Sequence, residues 1–223
     1  MLEIIPAIIP TNLNIIRERL LSILGAVKKV QIDIVDGEYA PTKTWPFNGN
    51  QFEEMIKFLR EEEKFPYIDN FFFEIDLMTL HPIEYLSDFM SLGAKSFVIH
   101  IDSTDHMREC INSVKLSGCK IGIAIKPSLD TSLLYPFVPD IDFVQFMGND
   151  RIGYNGVTLD TIVLEKISNF HTEHPSMSLQ IDIGVNKNTI IQLKEVGITS
   201  FVSGSEIFNS GNPKEVIKML ESL

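Results

Sequence analysis

The sequence is poor in cysteine, short of positive charge and without any long apolar run, and each shortage excludes a class of protein. Two cysteines in 223 residues, Cys110 and Cys119, lack the CxxC spacing of a metal site and are too few for a disulfide framework. They read as reduced packing residues. No stretch approaches the roughly 20 apolar residues of a membrane span, and Met1 to Pro10 carries Glu3 in place of a basic leader. The expectation is a cytoplasmic protein. Lys and Arg number 19 against 30 Asp and Glu, a net charge of −11, which repels a phosphate backbone or an anionic lipid surface. Nucleic acid and membrane are therefore not expected partners. With 44% hydrophobic and 22% charged residues, the chain has the composition of a globular protein rather than a disordered one.

What is present is an alternation. Short β-branched runs at Glu3–Ile9, Lys29–Val35, Asn70–Leu77, Ser96–Ile101, Lys120–Ile125, Asp142–Met147, Ser178–Ile183 and Ser200–Ser203 read as strands. Amphipathic stretches follow them at Leu13–Leu24, Gln51–Glu63, Pro82–Leu92, Asp105–Ser117, Thr131–Phe137, Leu159–His174, Asn188–Val196 and Pro213–Leu223, with Asp130 and Asn188 as caps. Eight strand and helix pairs at about 28 residues per unit predict an α/β fold, a (β/α)8 TIM barrel, with residues 1–223 as one domain. Two long irregular segments, Asp36–Gly49 and Gly148–Val157, follow strand C-termini, the end where such a barrel places its active site.

Strand side chains alternate between faces, so polar residues inside strands need explaining. Asp33 lies between Ile32 and Ile34; Glu74 and Asp76 oppose Phe73, Ile75 and Leu77; Gln180 and Asp182 oppose Leu179, Ile181 and Ile183. Three strands thus aim a carboxylate inward near their C-terminal ends. One such residue alone serves equally well as a cap for loop amides, whereas three together point to a site. Carboxylates converging in a partly buried mouth raise one another's proton affinity or recruit a cation. An ionised and a protonated carboxyl on opposite sides of a carbon can remove a proton from one face and return one to the other. At the other rim, Gly184 follows Asp182, and Gly204 and Ser205 follow strand eight, where backbone amides can approach a phosphate. The glycine-rich loop with Gly153 is a third contributor.

At these residues the sequence resembles the ribulose-phosphate 3-epimerase family. The resemblance is carried by Pro6-Ala7-Ile8-Ile9, Gln31-Ile32-Asp33-Ile34-Val35-Asp36-Gly37, Glu74-Ile75-Asp76-Leu77-Met78, Asp182-Ile183-Gly184-Val185-Asn186 and Gly204-Ser205-Glu206-Ile207-Phe208. It implies a ribulose-phosphate-binding barrel that epimerises a ketopentose phosphate at C3 through an enediolate. It also implies two catalytic aspartates, on Asp33 and Asp182, and a divalent cation held by two His and the same two Asp. Family methionines beside the intermediate fall on Met78 and Met147, and a third on Val35. The two metal-binding histidines fall on Gln31 and Asp76, a substrate-contacting Ser on Ala7, and the first of two glycines after the strand-seven Asp on Ile183. The candidate metal set is therefore Gln31, Asp33, Asp76 and Asp182, an oxygen set that suits Mg²⁺ or Mn²⁺ better than Zn²⁺, or holds no metal. His100, on the inward parity of strand four, is a candidate substrate contact.

The leading expectation is an epimerase acting on a small phosphorylated sugar, as a homo-oligomer. A second reading is a catalytically silent barrel that binds a phosphorylated metabolite. A third is a barrel decarboxylase, for which Asp33 and Asp36 supply acids but Val35 stands where a lysine is wanted. Lys126, ending strand five, raises the further alternative of Schiff-base chemistry.

Overall fold

The computed structural model describes residues 2–223. Strands β1 (Glu3–Ile8), β2 (Lys29–Val35), β3 (Phe72–Met78), β4 (Ser96–His100), β5 (Lys120–Ile125), β6 (Phe143–Met147), β7 (Ser178–Asp182) and β8 (Ser200–Ser203) pair in parallel in chain order. The β8 to β1 pairing, from Glu3 opposite Ser200 to Pro6 opposite Ser203, closes the barrel. All eight strands lie within two residues of the expected spans. Around them run α1 (Leu13–Ile23), α2 (Phe52–Leu59), α3 (Leu86–Ser91), α4 (Met107–Leu116), α5 (Ile162–Glu173), α6 (Ile190–Glu195), α7 (Ser205–Phe208) and α8 (Pro213–Glu221).

The helices depart from expectation in ways that have local causes. Thr131–Phe137 is not an α-helix. It forms a 3-10 turn at Thr131–Leu134, followed by another at Val138–Asp140, because Pro136 and Pro139 remove two backbone donors in four residues. Asp130 does cap the first of these, its carboxylate accepting from Ser132 N at 2.8 Å. Asn188 caps nothing. Its N–H instead donates to Asn186 Oδ1 at 2.9 Å in a side-chain-closed turn, and α6 begins only at Ile190. The short helix α7, directly after β8, is absent from the expected set.

Outward-facing strand residues such as Ile32, Phe73, Ile75, Leu77, Phe97, Ile99 and Ile123 are buried against the helices. The barrel interior is different, and it decides the site. In place of branched apolar layers its floor holds Gln31, Glu74, Ser96, Gln145 and Gln180, all buried. Polar groups removed from water must satisfy one another. Gln180 Nε2 donates to Glu74 Oε1 at 2.8 Å and to Gln145 Oε1 at 2.7 Å, with Gln31 Oε1 at 3.4 Å. Ser96 Oγ donates to Glu74 Oε2 at 2.7 Å. Lys29 enters from the N-terminal end of the barrel, its Nζ 2.8 Å from Glu74 Oε2 and 3.3 Å from Gln180 Oε1, with the Phe143 ring 5.3 Å away.

An ammonium and two neutral donors thus meet the Glu74 carboxylate in the interior. Lys29→Met, which strands that carboxylate, is expected to cost roughly 3 kcal/mol, a drop in Tm of about 6–12 °C by thermal denaturation. Lys29→Met combined with Glu74→Gln should recover most of the loss. Equal losses in the single and the double variant would show that the pair is not coupled.

Candidate functional site

At the C-terminal end of the barrel opens a cavity. Its wall includes Asp33, Met78 and Asp182 from the strands, Gly153 to Val157 from the loop after β6, Ile183 to Val185 after β7, and Ser203 to Ser205 at the end of β8. Of the expected site residues, Asp33, Asp182, Met78, Gly153, Gly184, Gly204 and Ser205 therefore share one surface. Among the described residues, no Lys or Arg lines it. An anion entering here would meet backbone amides and the hydroxyls of Ser203 and Ser205 rather than a cationic clamp.

Four carboxylates face the interior, and their hydrogen bonds divide them into two kinds. Glu74 is held in the floor as described. Asp76 has both oxygens taken, Oδ1 by His100 Nε2 at 3.1 Å and Oδ2 by Gln145 Nε2 at 2.8 Å. Asp33 accepts from Gln31 Nε2 at 2.9 Å, and Asp182 accepts the N–H of Ile183 at 2.7 Å. These last two face the cavity with lone pairs to spare. Burial, then the charges of Asp182 and Asp76, pushes the proton affinity of Asp33 well above the ordinary carboxylate range. Burial and then the charge of Asp76 raise Asp182 to about 7. A buried acidic pair of this kind holds a proton near neutrality.

Backbone strain gathers at the same place. Ile183 has φ of 78°, a left-handed conformation unfavourable for a β-branched residue, and Gly184 follows with φ of 79°. A Cβ at Gly184 would lie 2.6 Å from Leu159 N, and one at Gly204 2.9 Å from the Ala7 carbonyl oxygen. Both glycines let neighbouring backbone close in around the cavity.

The sequence profile of the Ribulose-phosphate 3 epimerase family matches residues 3–208. The chain belongs to that family. It is 28% identical over 195 residues to the cytoplasmic isoform of ribulose-phosphate 3-epimerase from Oryza sativa, covering 86% of this chain and 80% of the rice protein. It is 26% identical over 196 residues to the ribulose-phosphate 3-epimerase of Candida glabrata, covering 86% and 79%. Among solved structures, the 3-hexulose-6-phosphate synthase of Salmonella typhimurium superposes with a TM-score of 0.70 at 13% identity over 99% and 97% of the two chains. KGPDC from Streptococcus mutans gives 0.68 at 12% identity over 100% and 97%. These two show the shared barrel.

The family resemblance implies a divalent cation, and the residues present do not fit one. Gln31, at the first histidine position, turns an N–H toward Asp33, where a ligand would offer a lone pair. Asp76, at the second, has both oxygens engaged by donors. No group of three or more His, Cys, Asp or Glu among the described residues is arranged to hold a metal ion. Of the set Gln31, Asp33, Asp76 and Asp182, the structure places Asp33 and Asp182 on the cavity wall and Gln31 and Asp76 in hydrogen bonds beside them.

Two further expectations move. His100 does not reach the cavity. It is fully buried, bonded to Asp76 and covered by Tyr39, whose ring lies 5.2 Å away. Met147 packs with Val35, Val98 and Ala124 beside the cavity rather than on its wall. Lys126, the residue behind the Schiff-base alternative, is not on the cavity wall; its Nζ is 2.5 Å from Asp102 Oδ2 in an ion pair. Sequence reading passed over Tyr39 and Asp102, which sit in loops without a periodic signal. The one cue was the length of the Asp36–Gly49 segment.

Two outcomes follow. Equilibrium dialysis of metal-stripped protein should retain less than one equivalent of Zn²⁺ or Mn²⁺ at micromolar concentration, whereas Gln31→His with Asp76→His should gain zinc by supplying imidazoles. A carboxyl whose proton affinity rises on folding destabilises the native state as pH climbs from its unfolded value, near 4, through its folded one. Asp182→Asn should therefore raise stability at pH 8 by on the order of 1–3 kcal/mol, an advantage that thermal denaturation should find largely gone at pH 4.

Proposed function

We propose that the chain is a sugar-phosphate epimerase that inverts a carbon next to a ketone, with Asp33 and Asp182 exchanging the proton on opposite faces. The observation that supports this reading is the division of the interior acids. Of four carboxylates, Asp33 and Asp182 are the two on the cavity wall, where burial and neighbouring charge raise the proton affinity of both.

The chemistry needs one carboxyl of each kind. The ionised member takes the proton from the carbon beside the carbonyl, and the C–H electron pair becomes the carbon–carbon double bond of an enediolate as the carbonyl electrons move to oxygen. The protonated member then gives its proton to the opposite face of that carbon, and the carbonyl re-forms. The two carboxyls exchange protonation states, so the next turnover of the same direction waits for proton exchange with solvent. Holding the pair in a buried mouth disfavours double ionisation and poises it for both roles. Gly184, Gly204, Ser205 and Gly153 line the part of the cavity where a phosphate would rest on amides and hydroxyls. No step here runs through a metal ion.

A second reading, binding of a phosphorylated sugar without turnover, draws on the donors that saturate Asp76 and fill the histidine positions. Proton exchange separates the two. In heavy water with a panel of ketose phosphates, the epimerase reading expects deuterium at the inverted carbon. Asp33→Asn and Asp182→Asn should each lower net inversion by at least about 100-fold. The exchange rate should fall as pH drops through about 7, where Asp182 takes up a proton beside an Asp33 whose own proton affinity is raised, and the base is lost. Binding with no exchange at any pH from 5 to 9 would favour the silent barrel.

A further inference from the structure

The cavity is one-sided. Among the described residues its wall is drawn from β1, β2, β3, β7, β8 and the loop after β6, while β4 and β5 contribute none. The mouth ends of those two strands carry His100, Asp102 and Lys126, and over them lies Tyr39. Its hydroxyl donates to Asp102 Oδ1 at 2.5 Å, its ring centroid is 5.0 Å from Lys126 Nζ, and the ring rests against His100. On its other side Tyr39 packs with the apolar cluster that contains Val35, Met78 and Met147, and Met78 is itself cavity wall.

The loop that presents this ring is tied at several points. Asp36 Oδ1 accepts from the N–H groups of Glu38 and Tyr39, at 2.7 and 2.9 Å, and its Oδ2 accepts from Leu80 N at 2.9 Å. Thr42 Oγ1 donates to the carbonyl of Gly153 at 2.9 Å, joining the loop to the opposite wall of the cavity. The ring cannot swing aside without breaking its hydroxyl bond and disturbing these contacts.

We infer that Tyr39 is the specificity-determining residue for ligand length, its anchored ring walling off the β4–β5 sector so that a sugar held by its phosphate at the glycine rim must end before Asp102 and Lys126. The inference rests on the reading of the cavity as a sugar-phosphate site. Behind the ring stand a carboxylate and an ammonium rather than an apolar void. Shortening Tyr39 would open space and at the same time supply hydrogen-bond partners for one more hydroxyl-bearing carbon. A one-carbon difference at a fitted wall is worth about 10–200-fold in discrimination.

The test compares dissociation constants, by calorimetry, for 2-ketose phosphates of five and of six carbons carrying the phosphate on the terminal carbon. Tyr39→Ala is expected to shift the affinity ratio toward six carbons by at least about tenfold. Tyr39→Leu should shift it less, and Tyr39→Phe, which keeps the ring, should leave it near the parent value. Tyr39→Leu also retains apolar packing should the alanine variant fold poorly. A ratio unmoved in both the alanine and leucine variants, or a uniform weakening of both lengths, would overturn the role of Tyr39 while leaving the phosphosugar site standing. Failure of the folded parent to bind either length would overturn the proposed function and this inference together.

Discussion

A carboxylate inside a barrel must have a counter-charge, a set of donors or a proton, and that requirement organises this molecule from floor to mouth. Lys29 reaches in from the N-terminal end and settles Glu74. Gln180 links Glu74 to Gln145, Gln145 links onward to Asp76, and His100 completes Asp76. At the last layer Asp33 accepts from Gln31 Nε2 and Asp182 from the N–H of Ile183, and both face the cavity. The cavity pair thus sits directly above a floor whose polar groups are bonded to one another. Each amide in the chain carries two donors and one acceptor group, so a single change in the floor would propagate upward through unpaired atoms.

The same accounting explains how the chain differs from the pattern of the family it joins. Replacing two imidazole positions by Gln31 and Asp76 removes lone pairs of the kind that bind a transition metal and leaves a donor and an already satisfied carboxylate. Converging acids lower their mutual repulsion by holding protons. Raised proton affinity at Asp33 and Asp182 comes from burial first, and then from the charges of neighbouring carboxylates. It costs stability at neutral pH, the usual relation between a poised site and the fold that holds it.

Loops divide the mouth into unequal parts. On one side, Gly184 and Gly204 bring backbone close to the cavity, and the strained Ile183 aims its N–H at Asp182. On the other, Asp36 ties its loop through backbone amides, and Tyr39 donates its hydroxyl to Asp102, which pairs with Lys126. Asp36, considered as an acid for decarboxylation, instead spends both oxygens on backbone amides. Lys126 pairs with Asp102 away from the cavity wall.

The local alternation of apolar and polar residues was enough to locate all eight strands and to turn Asp33, Glu74, Asp76, Gln180 and Asp182 inward, because side-chain facing in a strand depends only on parity. Glycine placement likewise marked the rim at Gly153, Gly184 and Gly204. Parity does not say which inward groups meet. That Asp76 belongs to His100 and Gln145, and Asp33 to the cavity, follows from the register of strands distant in sequence, such as Asp33 opposite Asp76 and Met147 opposite Asp182. The failed helix at Thr131–Phe137 came from weighing an apolar pattern above two prolines, and α7 is too short to carry a period. Tyr39 was illegible for a further reason: its place is set by hydrogen bonds from one loop to another strand's end, and neither loop has a repeat for sequence to display. The amino-acid order determined the barrel and the inward acids, whereas only closure of the sheet decided which acids are satisfied and which remain open.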